Sequence, residues 1–154
     1  MGRGGKLDGM VLGGGKRVTA KEYLRQLKTL DNMINAKLLE RERIQALATK
    51  VTVSNSERVQ SGGGSGFENV VIKINELEDE INADIDKLWS LKQEARHLID
   101  LLEDEKHKWV LRERYVEFKS LRWLSEFTGL TIDGVRSLLK RAGKKFNTIY
   151  SKSA

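Results

Sequence analysis

LRWLSEFTGLTIDGVRSLLK, residues 121–140, carries the spacing of two short helices joined by a tight turn. Leu124 faces a core, small Ser125 lets the two helices approach, and Gly129 stands where the turn demands a positive φ. Leu130, Val135 and Leu138 complete the shared apolar interior. Ser120 is placed to cap the first helix and Thr131 the second, each hydroxyl accepting from a backbone N–H of the first turn. The pattern is that of a helix-turn-helix unit.

Working outward, Lys108 to Lys119 reads as a further helix whose Leu111, Tyr115 and Phe118 close a three-helix core. Downstream, Ala142 and Phe146 extend the apolar stripe of the last helix. Trp109 and Trp123 are read as packing residues, because aromatics supply much of a small core. The unit so delimited covers residues 106–148, followed by a tail at 149–154.

Toward the N-terminus the periodicity lengthens. Thr19-Ala20-Lys21-Glu22 matches a capping box, in which Thr19 and Glu22 satisfy each other's backbone amides. From there Tyr23, Leu27, Leu30, Ile34, Ile44, Ala48 and Val51 recur at helical steps, with Lys37 and Arg41 standing where apolar residues belong. The predicted helix is about 32 residues, or roughly 48 Å long. Residues 52–66, TVSNSERVQSGGGSG, break propensity and period and read as a flexible connector.

From Phe67 a second stripe runs Val70, Ile74, Leu77, Ile81, Asp84, Leu88, Leu91, Ala95, Leu98 and Leu102, a coiled-coil seam with one polar intrusion at Asp84. One striped helix cannot bury its own seam. Charge selects its mate: residues 67–105 hold twelve acidic and four basic side chains, whereas 19–51 hold seven basic and four acidic. An antiparallel hairpin over 18–105 follows, with facing residue numbers adding to about 118, a value set by the turn between 51 and 67. Asp84 then lies opposite Ile34 to Lys37, and an Asp84–Lys37 contact is predicted, with Asp84 tilting out to solvent as the equal alternative. The fold class is all-α: a long antiparallel coiled-coil hairpin followed by a small three-helix headpiece.

Residues 1–17, MGRGGKLDGMVLGGGKR, hold seven glycines and no periodicity, so a disordered leader is expected. A phosphate-binding loop is excluded, since Arg17 follows Lys16 where Ser or Thr is needed and Met10 occupies the earlier glycine position. Gly13 to Arg17 is what a purine-rich ribosome-binding sequence encodes when translated. That reading makes the leader non-native and starts the natural protein at Val18; an added expression leader is the alternative, and an intact Met1 peptide from natively expressed protein excludes the early-translation reading.

The whole chain, 154 residues, contains no proline and no cysteine and has a net charge of +6. The first fact favours long unbroken helices; the second rules out disulfides, thiolate metal sites and a Cys nucleophile. No apolar run reaches the roughly 20 residues of a membrane span, so a cytoplasmic location with no membrane partner is expected. His97 with Asp100 and Asp104, and His107 with Glu103, are the possible metal faces. Two isolated histidines among many carboxylates arise readily by chance, so no metal, cofactor or catalytic role is expected.

Charge is segregated. Residues 106–154 carry twelve basic and four acidic side chains, which suggests a polyanion partner for this part alone. On the last helix the side away from the apolar stripe displays Asp133, Gly134, Arg136, Ser137, Lys140, Arg141 and Lys144. With double-stranded DNA as partner, Gly134, Arg136 and Ser137 reach base edges, Arg136 forking onto a guanine, and Thr131 caps the helix that enters the groove. Lys140, Arg141, Lys144 and Lys145 meet phosphates, as does Arg122 from the preceding helix. A merely solvated basic face is the plain alternative, and charge together with motif favours the DNA reading.

Thr19-Ala20-Lys21-Glu22-Tyr23-Leu24, Ser56 to Ser61 and Ile74 to Leu102, with its Asn82-Ala83-Asp84-Ile85-Asp86, resemble a family of small phage and prophage proteins of unassigned function. That resemblance covers 18 to about 146, and its members begin one residue before Thr-Ala-Lys-Glu. The C-terminal part resembles region 4 of bacterial sigma factors through Thr131, Asp133, Val135, Arg136 and the Lys144-Lys145-Phe146 run. Ile132 and Gly134 depart from that pattern where basic residues are common, and Leu139 replaces a polar residue. The resemblance implies a phage transcriptional regulator in a bacterial host, with host RNA polymerase as a further partner and the hairpin as a docking or homo-oligomerising arm. Two other classes remain open: a DNA-recognition subunit of a phage packaging motor, marked by ring formation, and a protein-only adaptor whose basic headpiece folds onto the acidic second helix.

Overall fold

The computed structural model describes residues 11–12, 16–57 and 64–153, with side chains for 18–50 and 66–153. The architecture is all-α, with five helices among the described residues: α1 (Ala20–Glu57), α2 (Gly64–Asp100), α3 (Glu105–Leu111), α4 (Leu121–Thr128) and α5 (Ile132–Ser153). A π turn, Arg112–Val116, continues α3. Ahead of the helices, Val11–Leu12 pairs antiparallel with Lys16–Arg17. These four residues belong to the glycine-rich leader; residues 1–10 and 13–15, the rest of the segment expected to be disordered, lie outside the described residues.

Two compact units divide the chain. One runs from the chain start to Thr29 and resumes at Ser90; the other is Leu30–Trp89. The headpiece therefore takes in the beginning of α1 and the end of α2, a larger assembly than residues 106–148.

In the unit 30–89, α1 and α2 run antiparallel, burying Leu30, Ile34, Ile44, Ile81 and Leu88. The polar positions in the two stripes meet each other. Lys37 Nζ donates to Asp84 Oδ2 at 2.6 Å and also pairs with Glu80 at 3.3 Å, while Arg41 pairs with Glu78 at 3.5 Å. The hydrogen bond to Asp84 is the main reason the Lys37 ammonium is held above its usual pKa range. Both helices are longer than the periodicity indicated: α1 persists through residue 57 and α2 begins at Gly64, inside the segment read as connector. Residues 58–63 and the Val51 side chain lie outside the described residues.

The headpiece has a core of Tyr23, Leu27, Ile99, Val110, Leu111, Val116, Leu124, Val135, Ala142 and Phe146. Its chain entry is the capping box: Thr19 N donates to Glu22 Oε1 at 2.9 Å, and Glu22 N to Thr19 Oγ1 at 3.1 Å. Tyr23 stacks on Phe146 and packs against Tyr150 at ring-centroid distances of 6.3 and 5.0 Å. Asp104 starts α3 by accepting from Lys106 N and His107 N, bonds that keep its carboxyl below the usual range.

Three details depart from the sequence reading. The helix expected over 108–119 gives way to the π turn and ends at Val116, after which Phe118 adopts φ 62°. Phe118 is not a core residue; Lys28 and Lys92 place their ammonium groups 4.9 and 4.6 Å from its ring centroid. The supposed tail belongs to α5, whose Tyr150 is buried.

Candidate nucleic-acid interface

The α4–turn–α5 segment is built by its caps. Ser120 Oγ accepts from Trp123 N at 3.0 Å, fixing the first turn of α4. At the other end Gly129 has φ 79°, the left-handed conformation that closes a helix cheaply only when no Cβ is present. Ser125 does more than make room: its hydroxyl donates to Leu130 O at 2.6 Å across the turn. Thr131 Oγ1 then accepts from Gly134 N at 3.0 Å and starts α5. Leu124, Val135 and Leu138 are buried between the helices as expected, but Leu130 is 42 % exposed and leaves the core.

With Val135, Leu138, Ala142, Phe146 and Tyr150 turned inward, α5 shows its basic face to solvent. Arg136, Ser137, Lys140, Arg141, Lys144 and Lys145 are all exposed, as are Thr131 and Arg122; Gly134 is half-buried. Arg136 Nη1 pairs with Asp133 Oδ1 at 3.1 Å, and Arg122 Nε with Glu126 Oε2 at 3.8 Å. Both are solvent-exposed pairs one helical turn apart, so exchanging the carboxylate for an incoming anion costs little. Lys140, Arg141, Lys144 and Lys145 form no ion pair among the described residues.

A Cβ on Gly134 would approach Thr131 Oγ1 to 3.3 Å and the Leu130 Cβ to 3.4 Å. The glycine therefore keeps the capping hydroxyl and the first turn of α5 closely packed, and leaves backbone near the surface where a flat ligand edge can approach.

No protein-family model, curated protein or solved structure matches this chain. What the surface can bind follows from its own side chains.

Trp109, Trp123 and Phe127 stack on one another at centroid distances of 5.0 to 6.2 Å, so the two tryptophans pack as expected, yet they do so at the surface, with Phe127 67 % exposed. Lys119 adds its ammonium 4.7 Å from the Trp123 centroid. Among the described residues no group of three or more His, Cys, Asp or Glu is arranged to hold a metal ion, and no helix is long and apolar enough to cross a membrane. His107 Nε2 lies 3.8 Å from Asp104 Oδ2.

Sequence reasoning missed three cations. Lys21 and Arg25, one turn apart at the start of α1, and Arg114 of the π turn line the same groove as Arg136, Lys140 and Lys144 of α5. The i, i+4 spacing of Lys21 and Arg25 off the apolar stripe was visible. What the sequence did not disclose was that the first turns of α1 flank α5.

Proposed function

We propose that this protein is a phage-encoded, cytoplasmic DNA-binding transcriptional regulator that reads double-stranded DNA with α5. The observation that carries the reading is the exposed, unneutralised row Lys140, Arg141, Lys144 and Lys145 on a helix whose opposite face is packed into the headpiece core. Such a row provides counterion release on a phosphate backbone, the sequence-independent part of the affinity. The first turn of α5, opened by Thr131 and kept slim by Gly134, offers Arg136 and Ser137 to base edges in a major groove wide enough for one helix. Arg122 on α4 meets the neighbouring backbone.

The adaptor alternative, in which the headpiece is neutralised by α2, gains little support. The ion pairs joining the end of α2 to the π-turn segment are Arg96–Glu117 at 2.8 Å and Arg112–Asp100 at 3.5 Å. Neither consumes a cation of α5. The resemblance to sigma region 4 extends the proposal to contact with host RNA polymerase, and the hairpin to self-association.

The test is selection from a random duplex library with the full chain at fixed salt, comparing wild type with Arg136→Ala. Enrichment of one short motif that the variant loses supports base reading by α5. Enrichment that survives the substitution, or none at all, overturns it.

A further inference from the structure

The groove between the first turns of α1 and the side of α5 has a volume of about 750 Å³ and is lined by Lys21, Arg25, Arg114, Arg136, Lys140 and Lys144, with no acidic side chain in its wall. Of these six cations only Arg136 is ion-paired among the described residues, with Asp133 at 3.1 Å, and the remaining self-repulsion is relieved by an anion in the groove. Glu22, next to Lys21 in sequence, accepts from the Thr19 amide at 2.9 Å. Arg114 is steadied by donating Nη1 to Lys119 O at 2.9 Å, which leaves its other N–H groups available.

The groove walls are held by the core beneath them. Tyr23, between Lys21 and Arg25 in sequence, is buried against Phe146 and Tyr150 of α5 and donates its hydroxyl to Glu94 at 2.9 Å. Lys21 and Arg25 themselves are exposed and share one helical face. A pre-set row of cations beside a helix that enters a groove matches the sugar-phosphate strand bordering that groove, one negative charge recurring with every nucleotide.

We propose that the groove seats the DNA backbone, so that Lys21 and Arg25 of α1 clamp phosphates beside the major groove occupied by α5. The inference rests on the DNA reading above and deepens it: the first turns of the hairpin are part of the DNA-binding surface.

The experiment measures the affinity of the full chain for its selected duplex and for a scrambled duplex across a salt series, with wild type, Lys21→Ala/Arg25→Ala, and a control, Arg43→Ala/Lys50→Ala, that removes equal charge from the other compact unit. Alanine is well tolerated at exposed helical positions, and thermal unfolding of each variant verifies the fold. The charge-retaining Lys21→Arg/Arg25→Lys serves as a rescue. We expect the groove variant to reduce the log–log salt slope by about two, weakening both duplexes alike and leaving the preferred motif unchanged. The rescue retains the slope. An unchanged slope in the groove variant, while Arg136→Ala still loses the motif, overturns the clamp and leaves DNA reading by α5 standing. If wild type binds neither duplex but binds a polyglutamate peptide, the groove serves an acidic protein segment and both proposals fall.

Discussion

Tyr150 donates its hydroxyl to the backbone carbonyl of Val18, 132 residues earlier, at 3.1 Å, in a buried hydrogen bond. The last turns of α5 and the residues just ahead of α1 thereby belong to one core. Replacing Tyr150 with Phe leaves the Val18 carbonyl without this partner and is expected to cost about 1 kcal/mol. Tyr150→Ala also removes a ring from the stack with Tyr23 and Phe146, at about 3 kcal/mol or more. Urea unfolding of the two variants checks the order; equal stability of Tyr150→Ala and wild type would remove α5's end from the core.

Burial, reinforced by the Glu94 carboxylate, pushes the Tyr23 hydroxyl far above the usual phenol range. The folded state holds this proton more tightly than the unfolded state. Its stabilising contribution is therefore complete below the unfolded phenol pKa of about 10 and is lost as pH rises beyond it toward the folded value. Tyr23→Phe should lower stability at neutral pH by the lost hydrogen bond and flatten the alkaline decline, as read from thermal midpoints above pH 9. A decline as steep as that of wild type would remove Tyr23 from the alkaline transition.

Exchanging the partners of the hairpin contact, Lys37→Asp with Asp84→Lys, should preserve helicity and register, because both groups face each other between buried apolar layers. Asp84→Lys alone sets two ammonium groups together and should lower the thermal midpoint, with the exchange recovering most of the loss. Circular dichroism melts of the four proteins in a double-mutant cycle measure the coupling. An exchange variant less helical than either single variant would show that the contact does not set the register.

Gly129→Ala forces a Cβ into the left-handed region at φ 79° and should destabilise the headpiece by about 1 to 2 kcal/mol. Gly129→Asn should cost less, since asparagine tolerates that conformation better. Denaturant unfolding followed by tryptophan fluorescence suits this pair, as Trp123 lies in the same helix. If alanine is as stable as asparagine here, the turn is relaxing to another conformation.

Local chemistry was legible in the sequence wherever one residue type has a single good use. The Thr19–Glu22 box, the Ser120 and Thr131 caps and the positive φ at Gly129 were all read from adjacent residues, and charge pairing across two stripes was enough to place Lys37 against Asp84. Periodicity failed where tertiary context decides. Leu130 is apolar at a core-like spacing yet exposed in the turn, where its carbonyl accepts from the Ser125 hydroxyl; Phe118 satisfies helical spacing but sits at positive φ between two lysines. The groove cations were hidden for a related reason: the spacing of Lys21 and Arg25 says which face they share, and only the packing of Tyr23 on α5 says what that face adjoins.

That packing also governs when the protein can become competent. A growing chain cannot complete the headpiece until the segment bearing Phe146 and Tyr150 has emerged from the ribosome, because Tyr23 and Val18 wait for partners made more than a hundred residues later. Long-range closure of this kind is slow and comes late. Chains truncated before Phe146 should therefore lack the closed core and present an unpaired Tyr23 surface to proteases.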